Sequence, residues 1–250
     1  KTGWECVTPN SRVLTSDLRW IPAHEIRVGD TLLGCVEVPP RGHGKSSSFR
    51  IQKVTNSTAF ISPLTEVTLN NTCKTRVSSN HPLWVNRKHG RNRTQAGRYG
   101  GWQWIPASEV VSGDIVKYLP VWDTLKSYEA GRLSAFLDGE GHLCQERIPY
   151  SGLSLQITQS EGALAQEILE LWIQLGFDTT HKYSRHKGRP HEKNIITSGV
   201  ATTSEILRAL GSLRPTRLMR KFRDEINIER RTLNGVSNAV VVDVRPVGRG

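Results

Sequence analysis

The sequence predicts an all-β domain that is interrupted by an inserted α+β domain. Three observations support this prediction. The segment Trp20–Asp30 recurs 84 residues later as Trp104–Asp114, with seven of eleven positions identical. Short β-rich runs separated by turn residues surround both copies. The stretch 121–235 instead alternates helical and strand periodicity, which is typical of a second kind of domain.

Composition excludes several classes of protein. The chain has 250 residues, 36% of them hydrophobic, which is enough for a core and excludes intrinsic disorder. No apolar run approaches the roughly 18 residues of a membrane span, so we expect no membrane association. The 4 cysteines form no CxxC pair, which argues against a zinc ribbon. A net charge of +11 favours nucleic acid as partner, and we expect a cytoplasmic location in a bacterial or phage-infected cell, without secretion.

The predicted β domain covers residues 1–120 and 236–250. In each copy of the repeat, a short strand leads into a Pro-Ala turn and then a Gly-Asp pair before the next apolar run. Other strands are predicted near 12–15, 59–61, 66–69 and 239–244. The duplication indicates pseudo-symmetry within one domain.

The predicted insert covers residues 121–235. Helical periods occur near 124–138 and from Leu164 to Leu175, and a third covers Ile206 to Leu210, with Gly176 and Gly211 expected to end the last two helices. Apolar residues at 153, 155 and 157 alternate with polar ones, which predicts a strand with one buried face. Two more strands are expected near 179–185 and 193–198. The predicted order is α-β-β-α-β-β-α.

The first predicted helix ends in two carboxylates, Asp138 and Glu140. The helix dipole disfavours anions at this end by about 0.3–1 kcal/mol, so the pattern favours a bound cation, and hard oxygen ligands favour Mg²⁺. A stripe of small residues along the same helix would let a second helix approach closely. Two such helices side by side would bring two carboxylates together for metal-assisted phosphodiester hydrolysis.

Residues 133–141, Leu-Ser-Ala-Phe-Leu-Asp-Gly-Glu-Gly, resemble the LAGLIDADG motif of homing endonucleases, with Glu140 replacing an Asp. The element order behind the motif also resembles that family. The resemblance implies site-specific, Mg²⁺-dependent cleavage of both strands of DNA. It assigns the metal to Glu140 and the Gly139 carbonyl, the attacking water to Gln159, and the basic catalytic role to Arg217, with Arg214 and Arg220 as alternatives to Arg217.

One motif per chain implies a homodimer that recognises a pseudo-palindromic target in double-stranded DNA. The expected dimer interface contains Gly131, Ser134, Ala135 and Asp138. Polar strand positions are expected to contact bases through Gln145, Arg147, Ser154, Gln156, Thr158, His181, Tyr183 and Arg185, and longer basic side chains to hold phosphates through Lys182, Lys187, Arg189 and Lys193. The acid-free segment 87–98 is either a solvated loop or an arm on DNA phosphates, through Arg87, Lys88, Arg91, Arg93 and Arg98.

The flanking β domain resembles the Hint fold of inteins. Residues 6–15 resemble the first splicing motif, Ser78-Ser79-Asn80-His81 the second, and the run 241–244 a late motif. The resemblance implies a thioester-forming role for Cys6 with assistance from Ser78, His81 and Asp243. Since no His-Asn ending precedes Gly250, we expect splicing to stop after this first step.

The sequence therefore predicts an all-β Hint-type splicing domain plus an inserted α+β LAGLIDADG endonuclease domain. The predicted function is that of an intein-associated homing endonuclease fused to a C-terminally truncated splicing domain. Two alternatives are a protein-splicing element with an inactive endonuclease insert and a DNA-binding module without cleavage.

Overall fold

The computed structural model describes residues 6–38, 46–87, 102–145, 153–184, 194–225 and 236–249. These residues separate into two compact units. The first lies within Lys1–Thr15, Trp20–Leu119 and Thr232–Gly250, and the second within Ser16–Arg19 and Pro120–Arg231. The sequence prediction placed the boundaries at 120/121 and 235/236 and did not assign residues 16–19 to the second unit. In the described ranges, no helix is long and apolar enough to cross a membrane.

The first unit contains ten strands among its described residues. They are β1 (Arg12–Leu14), β2 (Trp20–Pro22), β3 (Thr31–Val38), β4 (Ser46–Lys53), β5 (Pro63–Leu69), β6 (Lys74–Ser78), β7 (Pro82–Asn86), β8 (Trp102–Pro106), β9 (Ile115–Tyr118) and β14 (Ser237–Arg249). A six-stranded antiparallel sheet has the order β6-β5-β14-β9-β7-β8, while β1-β2 and β3-β4 form separate pairs. Val67, Val85 and Val241 lie at the centre of the core of this sheet, each at most 1% exposed.

The predicted duplication is confirmed in the backbone of the first unit. Strand Trp20–Pro22 leads into a 3-10 turn at Ala23–Glu25, as Trp102–Pro106 leads into Ala107–Glu109. Each copy continues to a glycine with positive φ, 103° at Gly29 and 91° at Gly113. This left-handed conformation favours glycine and explains why both copies retain it.

The duplication extends to the hydrogen bonds around each Gly-Asp pair. In the first copy, Gly29 N–H donates to Val54 O and Val54 N–H to Asp30 O, both at 2.8 Å. In the second copy, Val241 exchanges the same two bonds with Gly113 and Asp114, again at 2.8 Å. The β3–β4 hairpin therefore corresponds to the pairing of β9 with β14. In the chain, the second unit is inserted between β9 and β14, as residues 39–45 are between β3 and β4.

The second unit combines four antiparallel strands with four α-helices in its described residues. The helices are α1 (Tyr128–Glu140), α2 (Ala163–Gln174), α3 (Thr203–Leu213) and α4 (Thr216–Glu225); the strands are β10 (Gly141–Gln145), β11 (Leu153–Ser160), β12 (Thr180–Ser184) and β13 (Ile195–Val200). The strand order is β10-β11-β13-β12. All four helices contact the sheet. Leu133, Leu155 and Trp172 are fully buried where the helices meet it.

Residues 16–19 contribute Leu18 to the core of the second unit. Leu18 is fully buried, with a positive φ of 63°. Its carbonyl accepts a 3.0 Å hydrogen bond from the Trp122 indole Nε1. Gly211 lies inside α3 against these groups, where a Cβ would overlap Trp122 Nε1 and Leu18 O. The expectation that Gly211 ends its helix is wrong because the glycine provides close packing and not a terminus.

The predicted fold class is wrong. The described residues are mostly β, with fourteen strands in several antiparallel sheets and four α-helices. The insert does not have the order α-β-β-α-β-β-α, because a further helix, α4, follows α3. Arg214 leaves α3 in the left-handed conformation with φ 56°, and Pro215 cannot continue a helix, so the chain turns and starts α4. The first unit is also not purely β, since it contains the 3-10 turns Ala23–Glu25 and Ala107–Glu109.

Candidate functional site

Both ends of helix α1 are determined by the local sequence. The helix begins where the Ser127 Oγ accepts a 3.2 Å hydrogen bond from Ala130 N–H. It ends at Gly141, whose extended backbone starts β10 and whose N–H donates to Leu137 O. A side chain at Gly141 would overlap the Leu137 backbone. The helix therefore passes directly into the strand, with Gly139 and Glu140 at the junction.

Asp138 and Arg217 link this helix end to the beginning of α4. The Asp138 carboxylate accepts hydrogen bonds from Thr216 N–H at 2.8 Å and from Arg217 N–H at 2.7 Å. In return, the Arg217 guanidinium donates to three carbonyl oxygens, those of Leu137 (2.9 Å), Asp138 (2.5 Å) and Gly141 (2.6 Å). Arg217 thus supplies positive charge to a helix end that carries partial negative charge.

Glu140 lies next to this network and is exposed. Within the described ranges, its carboxylate has no hydrogen-bond or ion-pair partner. Gly139 is also exposed, with open space around its Cα. A carboxylate and a backbone carbonyl are the oxygen ligands that Mg²⁺ prefers. These donors fit the predicted metal in kind, although one chain supplies a single carboxylate and the described residues contain no cluster of three metal-ligating side chains.

Gln159 lies near the same end of the sheet, where β10 begins and β11 ends. Gly141 pairs with Ile157, so Gln159 lies two residues beyond the point where α1 enters the sheet. Alternation places its side chain on the face of Leu155 and Ile157, which the helices cover. The register therefore places Glu140 and Gln159 near the same end of the sheet, and the hydrogen bond from Arg217 to Gly141 O places Arg217 there as well.

The opposite face of this sheet is polar and carries no helix from the described residues. Ser154, Gln156 and Thr158 alternate with buried leucine and isoleucine along β11, as predicted. The Thr158 and Thr197 hydroxyls are 3.0 Å apart across two strands, and Lys182 pairs with Thr197 from the other side. A groove of 480 Å³ lies on this face and is lined by Gln156, Lys182 and their neighbours.

The side chains of two other predicted base contacts, His181 and Tyr183, alternate away from the face of Lys182 and are exposed. His181 pairs with Ser198 and Tyr183 with Ile196, so both alternate with Lys182. Their rings meet edge to face at 5.8 Å on the exposed strand β12. Gln145 ends β10 opposite Leu153, where the backbone alone is described. Other predicted DNA contacts lie outside the described residues: Arg147, Arg185, Lys187, Arg189, Lys193, Lys88, Arg91, Arg93 and Arg98.

Arg87, the first residue of the predicted basic arm, forms an internal ion pair. Its guanidinium contacts the fully buried Asp114 carboxylate at 2.9 Å and donates to Glu109 O at 2.6 Å. The bond to Asp114 raises the pKa of Arg87 above its ordinary value. Arg87 therefore neutralises a buried charge of the repeated turn, which differs from its expected contact with DNA phosphates.

The residues expected in a dimer interface fall into two groups. Gly131 and Ala135 are exposed, and a Cβ at Gly131 would have no neighbour within 4 Å. Ser134 and Asp138 are half-buried, and Asp138 is occupied by the N-terminus of α4. The exposed part of the stripe is therefore Gly131, Ala135 and Gly139.

Three of the four predicted splicing residues meet in the first unit. Cys6 N–H donates to the Ser78 Oγ at 3.0 Å, and Ser78 N–H donates to Cys6 O at 2.9 Å. Ser78 is fully buried, and its carbonyl accepts a 2.8 Å bond from His81 N–H. The amide nitrogen that a shift at Cys6 would release is therefore the one hydrogen-bonded to Ser78.

The fourth, Asp243, lies elsewhere. It is exposed on β14 and pairs with Thr68, whereas Ser78 pairs with Leu64 at the other end of β5. Four residues of strand separate the two positions, roughly 13 Å. The register therefore does not bring Asp243 to Cys6.

Sequence reasoning missed two parts of the second unit. Thr180 and Thr197 extend the polar face, but the β13 sequence Ile-Ile-Thr-Ser-Gly-Val has no clean alternation that would reveal it. The network between Asp138 and Arg217 was also missed. Its available signal was Pro215, which commonly precedes or begins a helix.

Comparison of the chain with models of known protein families gives no match, and comparison with curated proteins gives none either.

Proposed function

We propose that the second unit binds double-stranded DNA on its polar sheet face and cleaves both strands at a specific site as a Mg²⁺-dependent endonuclease. Two observations support this proposal: the strand register places Glu140 and Gln159 near one end of the sheet, and a hydrogen bond to Gly141 O places Arg217 at the same end. Arg217 bonds to Gly141 O, and Gly141 pairs with Ile157, two residues before Gln159. An exposed carboxylate, an amide and a basic group form a set suited to hydrolysis of a phosphodiester.

The polar face supplies groups suited to DNA recognition. Gln156, Thr158 and Ser154 offer hydrogen-bond donors and acceptors that match base edges in the major groove. Lys182 lies on the same face, on β12 beyond the intervening β13, where an ammonium would hold a phosphate. The net charge of +11 would attract a polyanion over a longer range. The proposed location is the cytoplasm of a bacterial or phage-infected cell.

In the proposed hydrolysis, each group at this end of the sheet would have its own role. The Glu140 carboxylate and the Gly139 carbonyl would hold the cation, which when bound stabilises charge on the phosphate and lowers the pKa of water. The register places the Gln159 amide on the face opposite the DNA-binding face, so it would orient the attacking water from around the end of the sheet. The water oxygen forms a bond to phosphorus and releases a proton to solvent, the phosphorus–oxygen bond to the leaving sugar breaks, and the leaving oxygen takes up a proton from solvent.

A second copy of the chain would complete the site. One chain contributes a single carboxylate, and the exposed small residues Gly131, Ala135 and Gly139 would let another α1 approach closely. We therefore include a homodimer with two-fold symmetry in the proposal. Such a dimer would recognise a pseudo-palindromic target.

The test is a cleavage selection on a plasmid library that carries randomised inserts. Incubation with Mg²⁺ should linearise a small subset of plasmids that share a target, and EDTA should prevent it. Linear products whose enrichment is the same with EDTA would contradict the proposal. Specific retention of plasmids without any cut product would favour the alternative of a DNA-binding module.

A second candidate function is an acyl shift at Cys6 in the first unit. The supporting observation is the pair of hydrogen bonds between Cys6 and the buried Ser78. In this reaction, the Cys6 Sγ attacks the carbonyl carbon of Glu5, the Glu5–Cys6 C–N bond breaks, and the released amine gains a proton. His81, bonded to Ser78 through the backbone, is the candidate to supply that proton.

Thiol treatment tests the acyl shift. An added thiol should release the Lys1–Glu5 peptide as a thioester, which mass spectrometry detects. Cys6→Ala should abolish the release, and Asp243→Asn should leave it unchanged because the register keeps Asp243 away from Cys6. Absence of the peptide from the wild-type reaction would contradict this function.

A further inference from the structure

We propose that Asp138 and Arg217 are positioning residues that hold the Glu140 carboxylate in place. In this way they set the affinity of the C-terminal end of α1 for a divalent cation. The inference rests on the proposed endonuclease function and deepens it. It also gives Arg217 a role different from the basic catalytic one implied by the LAGLIDADG resemblance. The two helix ends that meet beside Glu140 are the C-terminus of α1 and the N-terminus of α4.

The Asp138 carboxylate lies in the last turn of α1, where the helix dipole is unfavourable to an anion. Its two oxygens accept from the first two N–H groups of α4, Thr216 at 2.8 Å and Arg217 at 2.7 Å. Those amides have no partner within their own helix, and the dipole of α4 favours an anion there. Asp138 is therefore stabilised by α4 and fixes the start of that helix against the end of α1.

The Arg217 side chain completes the connection in the opposite direction. It bonds to the carbonyl oxygens of Leu137, Asp138 and Gly141 at 2.5–2.9 Å. These carbonyls belong to residues on both sides of Glu140. At a free helix end, these carbonyls would be solvated or would compete for a cation. Because the guanidinium occupies them, the Gly139 carbonyl and the oxygens of Glu140 remain as the oxygen donors for a cation at this helix end.

The sequence explains why such a connection is needed. Glu140 stands between Gly139 and Gly141, and glycine loses more conformational freedom on ordering than any other residue. A carboxylate on a freely moving Gly-Glu-Gly segment would bind a cation weakly, because binding would have to order the backbone. Anchoring Asp138 and Gly141 fixes the backbone before the cation arrives.

The experiment compares metal binding by Arg217→Gln, Arg217→Lys and Asp138→Asn with that of the wild type. Arg223→Gln is the matched control, since Arg223 is an exposed arginine of the same helix that pairs with Asp224. Two quantities are measured: the Mg²⁺ concentration for half-maximal cleavage, and Mn²⁺ binding to the protein–DNA complex by electron paramagnetic resonance. DNA affinity and the urea midpoint are recorded for each variant.

We expect Arg217→Gln to raise both metal constants about 10- to 100-fold, the range typical of residues that orient a metal ligand. Arg217→Lys, which keeps the charge and reaches fewer carbonyls, should recover part of the loss. Asp138→Asn, which keeps one acceptor oxygen, should lie between wild type and Arg217→Gln. Arg223→Gln should match the wild type, and DNA affinity should be unchanged throughout.

Unchanged metal constants in Arg217→Lys and Asp138→Asn, with Arg217→Gln altering stability alone, would overturn the inference and leave the endonuclease intact. If Arg217→Gln does not fold, the other two variants decide. Failure of the proposed function looks different: the wild type would then show neither metal-dependent cleavage nor Mn²⁺ binding that depends on Glu140.

Discussion

The structural roles of several single residues in this chain depend on partners that are distant in the sequence. Gly211 follows a helical period and was therefore expected to end its helix, yet it lies inside α3 against Trp122 and Leu18. Arg87 was expected on DNA and instead neutralises Asp114, 27 residues away. Sequence patterns predict where helices and strands form. These contacts depend instead on tertiary packing, which no local pattern encodes.

Glu66 provides a prediction about pH at the scale of one residue. Its buried carboxylate accepts hydrogen bonds from Arg76 at 2.6 Å and from Arg245 at 2.7 Å. The bond to Arg76, followed by the one to Arg245, lowers the pKa of Glu66 below its ordinary value. A lowered folded-state pKa means that its contribution to stability is fully present above the unfolded-state pKa and is lost as the pH falls through the folded-state one.

Urea unfolding of the wild type should therefore show falling stability as the pH drops below the ordinary glutamate pKa of about 4.3. Glu66→Gln should be less stable at neutral pH and should lose less on acidification, because it cannot be protonated. Parallel pH profiles for the two proteins would mean that Glu66 does not contribute in this way.

At the scale of elements, the duplicated turn was the clearest success of sequence reasoning. The repeat in the sequence predicted two related strand-turn segments, and both have a glycine with positive φ and the same pattern of partner hydrogen bonds. The alternating strand β11 and the existence of α1, α2 and α3 also followed from periodicity. The break between α3 and α4 was missed, since it depends on a left-handed Arg214 that is unusual for a non-glycine residue.

The two aspartates of the repeat should differ in their contribution to stability. Asp114 is fully buried, pairs with Arg87 and accepts from Val111 N–H, while half-buried Asp30 makes the matching bond to Arg27 N–H at 2.7 Å. Asp114→Ala should cost about 2–3 kcal/mol, because it removes a charge-assisted hydrogen bond to Arg87 as well as the bond from Val111 N–H. Asp30→Ala should cost about 1 kcal/mol, the value of a lost turn-closing bond. Urea denaturation measures both, and equal losses would show that the buried pair adds nothing.

At the scale of the molecule, the repeat identifies where the second unit interrupts the first. The β9–β14 pairing corresponds to the continuous β3–β4 hairpin, with Tyr118 opposite Ser237. Replacing residues 119–236 with Asn-Gly should therefore give a folded first unit, since this dipeptide favours a two-residue hairpin turn. Leu18→Ser would accompany the deletion, because Leu18 belongs to the second unit's core. A cooperative urea transition and a β-type circular dichroism spectrum are expected; a disordered spectrum would refute the correspondence.

Assembly is the second prediction at this scale. Ala135→Leu adds volume to the exposed stripe between Gly131 and Gly139, where close approach of a second α1 is proposed. The variant should lose the dimer and cleavage together, while its folding is unaffected because Ala135 is exposed. Leu164→Ala on α2 is the control, since Leu164 is also exposed and lies outside the stripe. Light scattering of the DNA-bound protein checks the stoichiometry, and one chain per duplex with full cleavage would contradict the dimer.

Glu140 is the one carboxylate that each chain supplies to the proposed metal site, so the most direct measurement compares Glu140→Gln with the wild type for DNA binding and cleavage of the same target. Glu129→Gln, at the other end of α1, is the control. Glu140→Gln should bind the target as the wild type does. Its Mg²⁺-dependent cleavage should fall more than about 100-fold, a larger loss than is typical when a residue that only orients a metal ligand is replaced. Glu129→Gln should cleave normally. Cleavage by Glu140→Gln at the wild-type rate would contradict the role assigned to this carboxylate and the endonuclease mechanism built on it.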